Sequence, residues 1–208
     1  MRQNTRPTKS SVTVNRGAQE IELADGGELL YWPEWLSTAE ANQYFSELSA
    51  LLPWQKKSLK LFGKVVAEPR LSAWIGDSGA VYSYSGRSHQ PEPWPAILAT
   101  LRVRLQELVG QPLNSVLANL YRDEQDSMGW HADNEAELGD APTIVSLSLG
   151  ETRRFWLKHP SADTVRLTLG NGSLLVMRGS TQHHWKHCVP KESSHRAPRI
   201  NLTFRLIV

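Results

Sequence analysis

The chain has 208 residues, a formal net charge of +2 and one cysteine, Cys188, so it is long enough to bury a core and falls within the usual size of one domain. A lone cysteine excludes an intramolecular disulfide framework and any multi-cysteine metal site, and no apolar run approaches the roughly 20 residues that span a bilayer. The near-balanced charge means that affinity for polyanions has to come from local patches.

Residues 1–28 carry Arg2, Arg6, Lys9 and Arg16 among Ser, Thr, Asn and Gly, without helical periodicity or a signal-peptide-like apolar stretch. A flexible basic tail over 1–28 and a single domain over 29–208 are expected, in the cytoplasm (the nucleoid, if bacterial) or the nucleus. A strand is expected near Glu28 to Tyr31. Ser37, with Glu40 three residues on, reads as the capping box of an amphipathic helix that runs to about Leu52 and ends at Pro53. Next, Lys56, Lys57, Lys60 and Lys64 surround Leu61-Phe62-Gly63, an apolar tip on a basic hairpin. A solvated charged turn accounts for it. So do lysines on phosphates with Phe62 wedged into a base stack. Glu68-Pro-Arg70-Leu-Ser-Ala-Trp74 then leads towards Tyr82-Ser-Tyr84. The two tyrosines share one face of an extended segment, where either can stack on an extruded base. Core packing explains them less well, because serines occupy the opposite face.

A second helix is expected from Pro95 to about Val109, with Ile97, Leu98, Leu101, Leu105 and Leu108 on its apolar face and Gly110 as its stop. Short strands follow: Val116 to Tyr121, Thr143 to Leu149, Arg154 to Lys158, Val165 to Leu169, Ser173 to Met177, His184 to Val189 and Ile200 to Ile207, with turns such as Gly170-Asn171-Gly172. This order predicts an α+β double-sheet jelly roll, also called a double-stranded β-helix, with its helices buttressing one sheet and a mouth suited to a metal.

Two imidazoles and a carboxylate hold one face of an Fe(II) octahedron and leave the other face open for a chelating cosubstrate and O2. His131-Ala132-Asp133 supplies one imidazole and the carboxylate; the tripeptide alone is a weak motif. The second imidazole lies in Thr181-Gln-His183-His184-Trp-Lys-His187. Strand alternation there puts His183 and His187 on one face, so the residues alone do not choose between them. On the last strand Arg199, Asn201, Thr203 and Arg205 share one face, and Ile200, Leu202, Phe204 and Leu206 the other. An ordinary half-buried strand facing water shows the same alternation. A buried dicarboxylate would also need it, since each guanidinium pairs bidentately with a carboxylate. Asn119 and Tyr121 likewise share a face with Leu117.

The run from Asn119-x-Tyr121 through His131-x-Asp133 and His187 to Arg199-x-Asn201-x-x-x-Arg205 resembles the AlkB family of Fe(II)/2-oxoglutarate dioxygenases, from about Tyr31 to the C-terminus. The match is nearest to the members that repair duplex DNA. The resemblance implies that His131, Asp133 and His187 bind iron, leaving His183 and His184 outside the ligand set. It also implies that Asn119, Tyr121, Arg199, Asn201 and Arg205 contact 2-oxoglutarate. The segment with Arg70, Trp74, Tyr82 and Tyr84 becomes a nucleotide-recognition lid, Phe62 an intercalating finger, and Glu135 an acid near the base pocket. The implied reaction is oxidative demethylation of bases such as 1-methyladenine and 3-methylcytosine in DNA. It consumes 2-oxoglutarate and O2 and releases succinate, CO2 and formaldehyde.

Other readings stay open at the level of the residues. The same dioxygenase chemistry can act on RNA, a protein side chain or a small molecule. A zinc hydrolase can use two His and a carboxylate but explains neither arginine. A silent nucleic-acid-binding module has no reason to keep all three ligands. A monomer is expected. Which arginine takes the distal carboxylate is undecided, because residues six apart on a straight strand lie roughly 20 Å apart.

Overall fold

The computed structural model describes residues 17–61, 64–80, 82–84 and 87–208, with the backbone alone at 59–61, 64–65, 82–84 and 87–89. The strands in chain order are β1 (Gln19–Glu22), β2 (Gly27–Trp32), β3 (Ser58–Leu61), β4 (Lys64–Ala67), β5 (Leu71–Gly76), β6 (Tyr82–Tyr84), β7 (Arg87–His89) and β8 (Ser115–Tyr121). They continue as β9 (Met128–His131), β10 (Ile144–Gly150), β11 (Arg153–Lys158), β12 (Val165–Leu169), β13 (Leu174–Gly179), β14 (Lys186–Val189) and β15 (Arg199–Arg205). The helices are α1 (Thr38–Leu51), α2 (Ala96–Val109) and α3 (Thr181–His184).

A seven-stranded sheet in the order β1-β2-β13-β10-β15-β8-β5 faces a four-stranded sheet in the order β12-β11-β14-β9, and the pairings within both are antiparallel. This is the expected jelly roll. The hairpins β3-β4 and β6-β7 stand apart as two-stranded ribbons on either side of β5 in the chain.

Apolar residues on both faces of the central strands build two core layers. Leu30, Ala118, Val145, Leu147, Val176, Ile200, Leu202 and Phe204 pack against Leu48 of α1 and Leu98, Leu101 and Leu105 of α2. On the opposite face, Leu29, Ile144, Leu175 and Met177 pack against Phe155, Leu157 and Trp185. Each fully buried aliphatic side chain contributes roughly 1.5–3 kcal/mol, so the helices fasten one face of the large sheet and leave its other face to form the mouth. Both helices start and stop where their end residues dictate. Ser37 Oγ accepts from the Glu40 N–H at 3.3 Å while Glu40 Oε2 accepts from the Ser37 N–H at 3.1 Å, completing the capping box. Pro95 caps α2, and Gly110 closes it at φ 70°, the left-handed conformation that favours glycine.

Three expectations change. β1 lies inside the span expected as tail, paired from Gln19 opposite Tyr31 to Glu22 opposite Glu28. Its two glutamates hid it, but an edge strand held by backbone pairing needs little apolar surface. Residues 1–16, and with them most of the expected tail, lie outside the described residues. The strand expected from His184 begins only at Lys186, because residues 181–184 turn as a helix. Thr181 pins that turn: its Oγ1 accepts from the Glu28 N–H at 3.0 Å and donates to the Arg178 carbonyl at 2.6 Å. β5 and β9 were not among the expected strands. Among the described residues no helix is long and apolar enough to cross a membrane.

Candidate metal centre

The four-stranded sheet places two imidazoles side by side. His131 ends β9 and lies directly opposite His187 on β14, with ring centroids 4.2 Å apart. Asp133 follows two residues after His131 and is 3% exposed. One ligand atom from each of His131, Asp133 and His187 lies within 4.8 Å of the other two. His183 and His184 sit on α3 instead, where His183 Nε2 meets the Asp140 carbonyl. Of the three histidines in this stretch, His187 is the one that lies with His131 and Asp133.

The hydrogen bonding suits a metal. His131 Nδ1 lies 2.9 Å from the Gly129 carbonyl, the placement of a ring N–H that donates to it and leaves Nε2 free as a ligand. His187 Nε2 is 3.5 Å from Asp133 Oδ2, long for a hydrogen bond, and its Nδ1 is buried with no partner. Nε2, the nitrogen turned towards Asp133, is the one placed to take a metal within the triad. Burial, reinforced by His131 and opposed by Asp133, holds the His187 imidazolium down to about 3, so the ring is neutral and able to ligate. For Asp133, burial raises the carboxyl pKa but is outweighed by Arg205, His187 and His131, so the group stays ionised.

A polar cluster extends from the triad along the inner face of β15. Arg205 donates to Asp133 Oδ1 at 2.7 Å, beside the three candidate ligands. Arg199 is 1% exposed and donates to Ser148 Oγ at 2.8 Å and Asn201 Oδ1 at 2.9 Å, while its Nε and second terminal nitrogen have no partner. The strand therefore does not face bulk water. Tyr121 lies opposite Arg199, with that guanidinium 5.2 Å from its ring centre, and Asn119 lies opposite Asn201. Burial lowers the Arg199 guanidinium to about 10, against the opposing effect of Tyr121 beside it.

The residues expected at the substrate separate. Arg70 is buried: it pairs with Glu68 at 2.9 Å and donates through Nε to Asn119 Oδ1 at 2.9 Å, so it orients Asn119 rather than facing outward. Trp74 lies on β5 opposite Leu117 and donates to Ser115 Oγ at 2.8 Å. Glu135 flanks the turn after Asp133, and its Oε2 is buried without a hydrogen bond. Tyr82 and Tyr84 belong to β6, paired with His89 and Arg87. The side chains of those tyrosines, and Phe62 entirely, lie outside the described residues.

Several contributors were missed. Ser146 donates to Asn201 Oδ1 at 3.0 Å, and the Val145-Ser-Leu-Ser-Leu149 alternation carried the signal that Ser146 and Ser148 face inward. Arg153, 1% exposed, stands over the Tyr121 ring at 5.4 Å and donates to the carbonyls of Asp123, Asp126 and Pro190. Gln182 accepts the Asp133 backbone N–H at 2.9 Å, and no spacing in the sequence marks it. Gln182→Leu is expected to weaken divalent-metal binding by about 10–100-fold, as loss of an outer hydrogen bond does; a Mn(II) titration that moves less than twofold would remove this role.

A second group, Asp25, His159 and His184, also brings three ligand atoms within 4.8 Å. Its hydrogen bonding opposes a metal. The Ser161 N–H donates to His159 Nδ1 at 3.2 Å, so Nε2 keeps its proton and donates to Asp25 Oδ2 at 3.0 Å.

A sequence model of the 2OG-Fe(II) oxygenase superfamily matches residues 28–205. The alpha-ketoglutarate-dependent dioxygenase alkB homolog 3 of Homo sapiens is 37% identical over 97% of this chain and 74% of its own length. The DNA oxidative demethylase ALKBH2 of Bos taurus is 41% identical over 82% of this chain and 66% of its own. The solved structure of OsALKBH1 superposes with a TM-score of 0.58 at 17% identity, covering 85% of this chain and 97% of that one, a likeness of fold alone.

Proposed function

The chain belongs to the 2OG-Fe(II) oxygenase superfamily and, within it, to the AlkB family, and from that membership we propose that it demethylates N-alkylated bases of the 1-methyladenine and 3-methylcytosine type in DNA. It is a dioxygenase that uses Fe(II), 2-oxoglutarate and O2, and its chemistry is AlkB-type oxidative demethylation. When bound, this set hydroxylates the N-alkyl carbon as 2-oxoglutarate becomes succinate and CO2, and formaldehyde then leaves the restored base.

The chain's own residues orient and shield. His131, Asp133 and His187 hold the iron, and Arg205 fixes Asp133 from beside it. Arg205 therefore takes the carboxylate nearer the metal. Arg199, whose buried guanidinium has donors to spare, takes the distal carboxylate. Asn119, Tyr121 and Asn201 complete that pocket, with Arg70 holding the Asn119 amide. For the substrate, Trp74, Tyr82 and Tyr84 supply aromatic faces, Phe62 fills the gap left by the extruded nucleotide, and the unpaired Glu135 carboxylate attracts a cationic base. The protein acts as one domain and as a monomer.

The observation that carries this reading is a His-Asp-His triad joined by one 2.7 Å ion pair to a strand with a second, anion-free buried arginine. Succinate and formaldehyde release from methylated oligodeoxynucleotides, against RNA of the same sequence, tests it. Release from the DNA is expected, with Glu135→Gln lowering turnover of cationic bases about tenfold more than that of neutral N-methyl bases, a difference of about 1.4 kcal/mol in the barrier. Product from RNA alone, or from neither polymer, would overturn the DNA assignment.

A further inference from the structure

The outer face of the four-stranded sheet is charged in one sense. Arg154 and Lys158 of β11, Arg166 of β12 and Lys186 of β14 lie on it, Arg153 being buried on the inner side, and the four strands contain no Asp or Glu. Alternation along β11 turns Phe155 and Leu157 inward and leaves Trp156 and Lys158 outward. Register sets Lys158 opposite Lys186 and Trp156 opposite Arg166. Like charges directly opposed across strands destabilise a sheet, and among the described residues no ion pair includes Lys158, Arg166 or Lys186. Arg154 differs, since Glu192 holds it at 2.9 Å.

Aromatic rings interleave these cations. Lys158 Nζ stands 4.5 Å from the Trp130 ring centre, and Arg166 stands 5.8 Å from that of Trp156. Trp130 is 40% exposed and immediately precedes His131 on β9, so this face begins one residue from the metal centre on the other side of the strand.

We infer that this outer face binds the nucleic-acid strand leading away from the pocket, with Trp130 and Trp156 stacking unpaired bases and Lys158, Arg166 and Lys186 neutralising phosphates. The inference rests on the demethylase reading for what fills the pocket. Base-aromatic stacking beside cations is how proteins hold single strands without sequence preference. Phosphates also relieve the Lys158–Lys186 repulsion, which an apolar partner would not.

Fluorescence anisotropy of an unmethylated single-stranded 12-mer with the Fe(II)-loaded, oxygen-free protein decides it. Lys158→Ala/Arg166→Ala should bind at least about tenfold more weakly and lower the slope of log K against log salt by about 1.4, two single-strand contacts at about 0.7 each. Trp130→Ala should weaken binding with the slope unchanged. For both variants KM should rise on long methylated strands, while turnover of a methylated trinucleotide holds. Unchanged affinity and slope would overturn the inference. So would polyglutamate displacing the 12-mer while Trp130→Ala is silent, which would assign the face to an acidic protein. Lack of turnover by the wild type on every methylated strand would instead refute the demethylase reading, and the anisotropy would still decide the surface.

Discussion

Asp133→Ala is expected to lower turnover more than about a thousandfold, about 4 kcal/mol in the barrier, and to abolish tight Fe(II) binding. The substitution removes one of the three proposed ligands and strands Arg205, whose side chain is 13% exposed and makes its 2.7 Å pair with this carboxylate. Removing one partner of a buried pair costs about 3–5 kcal/mol, so the melting temperature should fall as well. The two losses separate in Asp133→Ala/Arg205→Met, where stability recovers because no buried cation is left alone and activity stays absent. Iron content by equilibrium dialysis, formaldehyde release and thermal melts on both variants measure this. Retention of a tenth of wild-type turnover by Asp133→Ala would exclude it as a ligand.

The second large effect is on the cosubstrate. Arg199→Met should raise the KM for 2-oxoglutarate by about 100-fold or more, the cost of a lost buried charge-assisted pair at about 3–5 kcal/mol, without destabilising the protein. The sign follows from burial. A guanidinium lowered to about 10 lies well below its value in the unfolded chain, so it is charged in both states at neutral pH and is penalised for that charge in the fold. Arg199 therefore costs stability across neutral pH, and the cost disappears only as pH rises above the folded value. A dicarboxylate relieves it. Saturating 2-oxoglutarate should then raise the melting temperature of the wild type, by about 2.7 kcal/mol of stabilisation at 100 times Kd, and leave that of Arg199→Met unmoved. A cosubstrate shift of equal size in the two proteins would place the distal carboxylate elsewhere.

Much of this architecture was legible because period and end residues agree. The Ser37 and Glu40 pair fixed the start of α1, the aliphatic stripe of Leu98, Leu101 and Leu105 fixed the buried face of α2, and alternation from Arg199 to Arg205 separated a polar from an apolar face. What alternation did not reveal was that both faces are buried. A strand in contact with water and a strand lining a closed pocket carry the same pattern, and only the second sheet distinguishes them. The choice of His187 needed the family resemblance, because residues 181–184 curl into a helix stabilised by Thr181 contacts to Glu28 and Arg178, more than 150 residues away for Glu28. Arg70 was misplaced for a related reason. In sequence it adjoins the segment expected as a lid, and in space it hydrogen-bonds Asn119 of β8. Gln182 is a residue of ordinary type at an unremarkable position, made important by one long-range hydrogen bond.

Crystals grown without oxygen with Fe(II) and 2-oxoglutarate, measured at the iron absorption edge, test the central claim most directly. One anomalous peak is expected, within bonding distance of His131, Asp133 and His187, with a chelating 2-oxoglutarate whose near carboxylate adjoins Arg205 and whose far carboxylate rests on Arg199. Iron between Asp25, His159 and His184, or a 2-oxoglutarate that leaves Arg199 untouched, would contradict the account.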